Sequence, residues 1–155
     1  MTQQMLIGAL LLIATTVIHA VAMRLAYYGT ERAHTETWTL PRHWTRIILT
    51  AAFVFIMFLA GVVEAVIWAW TYLTVGVFES FEPALYFSFV TFTTVGFGDI
   101  VLDPSWRLLS VIEAANGMIM FGWTTALIFW FVQRVAVRDV PELSTESRTA
   151  EPPPT

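Results

Sequence analysis

Three long apolar segments constrain this chain more than anything else in it. Residues 5–23, MLIGALLLIATTVIHAVAM, run for 19 positions with His19 as the sole ionisable side chain. Residues 47–73, IILTAAFVFIMFLAGVVEAVIWAWTYL, run for 27 positions interrupted by Glu64 alone. Residues 108–132, LLSVIEAANGMIMFGWTTALIFWFV, run for 25 and contain Glu113. About 20 mostly apolar residues at roughly 1.5 Å rise each cross the hydrocarbon of a bilayer, so all three qualify, the last two with length to tilt. No water meets backbone groups there, and single segments that span it fold as helices. The sequence therefore predicts an all-α membrane protein with three transmembrane helices. The charged fraction agrees, at 13% against about 25% in soluble domains.

The remaining composition excludes several function classes. There is no cysteine, hence no disulfide and no thiolate metal site. All eight basic residues are arginines, the net charge is −4, and no basic cluster is present, which argues against a nucleic-acid partner. The MTQQ start lacks the positive charge of a signal peptide and no clean cleavage site follows, so residues 1–28 read as a retained additional helix. Arginines 24, 32, 42 and 46 lie between the first two spans and 134, 138 and 148 after the third, whereas Arg107 is alone among Glu79, Glu82, Asp99 and Asp103. That asymmetry puts the arginine-rich side in the cytoplasm, the N-terminus outside and the C-terminus inside. Residues 29–45 read as a cytoplasmic interfacial linker with a short helix near 41–46. The polar tail 136–155, ending in three prolines, reads as disordered. Trp68, Trp70, Tyr72 and Trp106 are expected in the outer aromatic belt.

Between the second and third spans stands PALYFSFVTF, residues 83–92, too short to cross but suited to a re-entrant helix. Pro83 fits a first helical turn and Glu82 suits the positive end of the helix dipole. It leads into TFTTVGFGD, residues 91–99. Non-helical backbone at membrane depth is tolerated where it packs in protein or lines a watery cavity. Gly96 and Gly98 adopt positive φ at little cost, and alternating conformations turn successive carbonyls toward one axis. Such oxygens, with the Thr94 hydroxyl, substitute for the water shell of a cation. One loop supplies about one oxygen per level, so several copies must surround the axis in a closed ring.

The segment ALYFSFVTFTTVGFGDI resembles the pore helix and selectivity filter of tetrameric potassium channels, with TVGFGD a conservative form of their TVGYGD signature. The resemblance covers residues 46–135, with the flanking spans in the places of the outer and inner helices. The additional first helix is similar to that of small bacterial three-span members. The resemblance implies a cyclic C4 homotetramer in the cell membrane, surrounded by lipid and conducting potassium passively. It implies bound K+ at Thr94, Val95, Gly96 and Phe97, no other cofactor, and an outer mouth shaped by Gly98 and Asp99. Phe97 replaces the commoner tyrosine and removes a hydroxyl that tethers the filter, which puts filter stability in question.

The other polar and small residues of the spans have competing readings. Glu64 and Glu113 are costly in a membrane. Either is a candidate filter support. Glu64, about 27 Å up its helix, is equally read as solvated near the interface, while Glu113 lies level with the filter. Gly117 and Gly122 are candidate hinges of the inner helix, or sites of close helix packing. Thr124 and Thr125 are candidates to line the cavity, and Asn116 to bond between helices. His19 reads as a packed, hydrogen-bonded histidine rather than a sensor. Asp103 and Pro104 read as a helix start, and Arg107 as a partner for Asp99 or Asp103. No voltage-sensing helix and no metal or nucleophile constellation for an enzyme stands out. The competing readings are a non-conducting subunit that regulates other channels and, less favoured, a transporter with pore-like repeats.

Overall fold

The computed structural model describes residues 2–35 and 42–137, which form four helices. These are α1 (Thr2–Thr35), α2 (Arg42–Thr74), α3 (Phe81–Phe92) and α4 (Arg107–Val137). Stretches of α1, α2 and α4 are long and apolar enough to cross a membrane, namely Thr2–Thr30, His43–Thr74 and Arg107–Arg134. Much of the segment expected as a linker is helical. Residues 29–35 continue α1 and residues 42–46 are the first turns of α2, not a separate helix. Residues 36–41 and 138–155, with the rest of the expected linker and tail, lie outside the described residues.

The end of α2 is fixed by backbone chemistry. Val77 N–H donates to Tyr72 O and Gly76 N–H to Leu73 O, with Gly76 at φ 76°. This is the paired-bond helix stop that a left-handed glycine permits. The chain then turns into α3, whose 12 residues begin two positions before Pro83. After α3 the chain returns to α4 through residues 93–106, and the helix starts later than Asp103 suggests. Trp106 and Arg107 N–H donate to the Asp103 main-chain carbonyl, so its backbone and not its carboxyl closes the turn.

Two apolar clusters hold the helices together. One joins α2, α3 and α4 through Ala65, Trp68, Tyr72, Phe87, Phe92, Leu109 and Met120. The other joins the opposite ends of α1, α2 and α4 around Phe53 and Phe131, whose rings stack at 4.5 Å. The aromatic belt is accordingly smaller than expected. Trp68 and Tyr72 are fully buried, because they share the inward stripe of α2 with Ala65 and Ala69 at helical spacing, while Trp70 faces out.

Helix α1 is built inside out. Its buried positions are Gln4, Gly8, Thr15, His19, Ala26 and Thr30, all polar or small, whereas Leu6, Leu10, Ile13, Val17, Val21 and Leu25 are exposed. The polar face meets polar partners on the neighbouring helices. Gln4 Nε2 donates to the Ser105 carbonyl, and Asn116 Nδ2 donates to Thr15 Oγ1 at 2.9 Å. Gly8 sits against Ile112, whose side chain would lie 2.8 Å from a Cβ there. Small and hydrogen-bonding residues at contacts are what packing in lipid favours, since apolar side chains gain nothing by leaving lipid for protein.

Candidate functional site

The loop after α3 is the most unusual backbone in the chain. The amides of Thr93, Thr94 and Gly96 reach back to the carbonyls of Phe89, Thr91 and Val90, at 3.0, 2.9 and 3.2 Å. Beyond that point φ is positive at every second residue, 60° at Thr94, 57° at Gly96 and 79° at Gly98. Glycine accepts this freely. Threonine does not, and a β-branched residue held there costs on the order of 1–3 kcal/mol unless its surroundings fix it. In an extended strand successive carbonyls point to opposite sides, and inverting φ at alternate residues brings them toward one side. Among the described residues none donates to the carbonyls of Thr94, Val95, Gly96 or Phe97. Val95 and Phe97 are 54% and 70% exposed, outside both cores.

Asp99 ends the loop and is tied back to α3, where Tyr86 O–H donates to its Oδ2 at 2.6 Å. This bond holds the Asp99 carboxyl below its ordinary range and the Tyr86 hydroxyl above its own. It supplies a tether that Phe97 cannot. Arg107 pairs with neither Asp99 nor Asp103; its Nε donates to Leu102 O at 2.9 Å. The Tyr86 contact favours the carboxylate, so it is complete above the ordinary carboxylate value and lost only as pH falls through the lowered one. Tyr86→Phe is therefore expected to move the Asp99 titration upward, toward the ordinary carboxylate range, as read by carboxyl infrared or carbon NMR. An unmoved titration would show that the bond does not form in the membrane.

Glu113 lies behind α3. Its Oε2 accepts from Tyr72 O–H at 2.6 Å, and its Oε1 is 2.5 Å from Ser88 Oγ. Ser88 Oγ also lies 2.7 Å from Ala65 O. A hydroxyl has one hydrogen. All three contacts are hydrogen bonds at once when Glu113 carries a proton and donates to Ser88, which donates to Ala65. One side chain of α4 is thereby joined to α2 and α3. Glutamine reproduces this pattern, with its amide N–H on Ser88 and its carbonyl oxygen on Tyr72. Glu113→Gln is expected to melt within about 1 kcal/mol of the parent, and Glu113→Ala to lose roughly 1–3 kcal/mol from two interhelical bonds. Equal losses in the two variants would contradict the arrangement.

Glu64 is neither solvated at an interface nor bonded to the loop. It is fully buried, and His19 Nδ1 lies 2.9 Å from its Oε1. His19 Nε2 is 3.0 Å from Thr124 Oγ1. With its proton on Nδ1, the imidazole donates to Glu64 and accepts from Thr124, joining α1, α2 and α4. This occupies Thr124, which turns toward α1. Thr125, the next residue, is exposed and donates to Phe121 O at 2.9 Å.

The two inner-helix glycines differ. A Cβ on Gly117 would overlap the Phe92 carbonyl oxygen and stand 2.8 Å from its carbon, so Gly117 is where α4 meets the end of α3. Nothing lies within 4 Å of a Cβ on Gly122. The helix runs unbroken through both. Ser88, Tyr86 and Thr15 were not singled out by sequence reasoning, and Tyr72 was read only as part of the aromatic belt; each bonds to a partner on another element or in the loop.

A sequence-family model described as "Ion channel" matches residues 44–134, which takes in α2, α3, the loop and nearly all of α4, and leaves out α1. No curated protein matches the chain, and no solved structure does.

Proposed function

The chain belongs to the ion channel family, and we propose that it is a potassium-selective pore formed by four copies. The observation that carries this reading is the run of positive φ at Thr94, Gly96 and Gly98, with no donor among the described residues to the carbonyls of this run. Four such loops around an axis stack rings of oxygens from Thr94, Val95, Gly96 and Phe97, with the Thr94 hydroxyl below. These rings replace the water shell of K+. The exposed Val95 and Phe97 side chains then pack against neighbouring copies and the walls behind the loop.

In this reading α3 is a re-entrant helix entering from the outside, with its negative C-terminal end toward the axis, where it favours a cation. The arginine asymmetry sets the orientation, with the N-terminus outside and the α1–α2 connection cytoplasmic. Glu79, Glu82, Asp99 and Asp103, repeated around the mouth, raise the local cation concentration. Glu113 supports the loop indirectly, by fixing α3 through Ser88 and α2 through Tyr72.

Binding can be tested apart from conduction. A filter that holds K+ stabilises the assembly by about 1.4 kcal/mol for each tenfold rise in K+ above its dissociation constant. The purified protein should run as a tetramer in native mass spectrometry, and its melting temperature should climb with K+ at constant ionic strength. Equal responses to K+ and Na+ would rule out a selective site. A monomer that responds to neither would favour a non-conducting subunit that needs other chains.

A further inference from the structure

Helices α1 and α4 run side by side in the same direction, since Thr15 meets Asn116 and Tyr27 meets Arg134. Along their second halves they frame, with Phe53 of α2, a groove of about 890 Å³. Val17, Ala20, Val21 and Leu127 line its length, and Arg24, Tyr27, Tyr28 and Trp130 line the end toward Arg134. Ring contacts order that end. Arg24 lies over the Tyr28 ring at 5.4 Å, Arg134 lies over Tyr27 at 5.6 Å and over Trp130 at 5.4 Å, and the two tyrosine rings meet at 5.7 Å. Arg134 Nη2 also donates to the Tyr27 hydroxyl at 3.2 Å. Two guanidiniums thus flank one pair of adjoining rings. Among the described residues no carboxylate lines the groove.

We propose that this groove seats one acidic phospholipid, with an acyl chain along the α1–α4 seam and the phosphate at Arg24 and Arg134. The length fits. Val17 and Tyr28 are 11 positions apart, about 16 Å along a helix, and one leaflet is half of a hydrocarbon core roughly 30 Å thick. The charge fits as well. Guanidinium N–H groups make charge-assisted, paired bonds to phosphate oxygens. An acidic lipid brings no cation of its own to oppose the arginines, and basic residues at a membrane surface favour such lipids. Tyr28 and Trp130, 56% and 43% exposed, have the amphipathic rings that sit at headgroup level. A free phosphate would leave the apolar length of the groove without an occupant. The site requires that these helices cross a membrane and does not depend on the reading of the loop as a filter. Its α1 wall lies outside the matched residues.

The test uses the full-length protein in a nonionic detergent, titrated with phosphatidylglycerol and with phosphatidylcholine of the same acyl chains, with bound lipid counted by native mass spectrometry. Phosphatidylglycerol should saturate at one per chain and bind on the order of tenfold more tightly than phosphatidylcholine. Replacing Arg24 and Arg134 together by glutamine should bring the two affinities together. Val17→Trp puts an indole into the groove from an exposed position, away from both arginines, and should abolish the saturable binding while the melting temperature in detergent is maintained. Equal affinities in the parent would overturn the proposal. So would phosphatidylglycerol binding that survives Val17→Trp, which would mean diffuse attraction to the arginines. An assembled parent that binds neither lipid would also overturn it, and would assign the groove to a neighbouring copy. The Val17 variant decides the matter even if the double arginine variant does not fold.

Discussion

Gly117→Ala is expected to prevent folded assembly, and Gly122→Ala to leave it intact. The added methyl at Gly117 would overlap a main-chain oxygen of Phe92. A flexible side chain could swing away; the end of α3 cannot, because Phe92 is buried and the bonds from Thr93, Thr94 and Gly96 anchor that turn. Overpacking in cores usually costs about 1–3 kcal/mol, and a clash with fixed backbone belongs at the top of that range or beyond it. At Gly122 the space is open, and alanine gains helix propensity worth roughly 1 kcal/mol. Size-exclusion chromatography and melting of the two variants separate packing from hinging. If Gly117→Ala assembled and melted like the parent and lost only transport, Gly117 would be a hinge after all.

The second large effect is expected at Gly96, where alanine should leave the assembly standing and reduce potassium flux to background. Its φ of 57° lies in the left-handed region, and nothing is within 4 Å of an added Cβ. The penalty is conformational rather than steric crowding, about 1–2 kcal/mol per chain for an L-residue held there. In the proposed tetramer this adds up to roughly 4–8 kcal/mol, concentrated in a loop that adds little to either core. The loop escapes the strain by flipping peptides, which turns carbonyls away from the axis. A Gly96→Ala protein that keeps its oligomeric state and loses K+-dependent stabilisation together with flux fits this account. Full flux in that variant would mean that the alternation of φ has no part in conduction.

Local features of the site were legible in the sequence because local chemistry produces them. Continuous apolar runs showed the three spans, Pro83 marked the first turn of α3, and the threonine–glycine spacing of TTVGFGD anticipated the positive φ at Gly96 and Gly98. Thr94 was less legible, since a threonine does not choose φ 60° by itself and is held there by the fold. Contacts between helices were the least legible. His19 and Glu64 are 45 positions apart, and neither shows its partner in its own neighbourhood. Counting height along each helix placed Glu64 near an interface, but says nothing of the side it faces. The inward face of α1 was hidden for a related reason: the usual search looks for apolar residues turned inward, whereas in lipid the polar and small ones were turned in. The spacing of Gln4, Gly8, Thr15, His19, Ala26 and Thr30, in steps of four and seven, is the signal that would have revealed it. Gly117 was readable as a glycine with a purpose, but choosing between bending and close approach required the position of Phe92 O.

The central claim is that this chain alone forms a pore selective for potassium. The measurement that tests it most directly is ion flux through liposomes containing only this protein, driven first by a potassium gradient and then by an equal sodium gradient. The account predicts potassium flux, sodium flux at background, and loss of the potassium flux in Gly96→Ala. Equal potassium and sodium fluxes would contradict the filter assignment, and an assembled tetramer that passes neither ion under varied pH and voltage would contradict the pore itself.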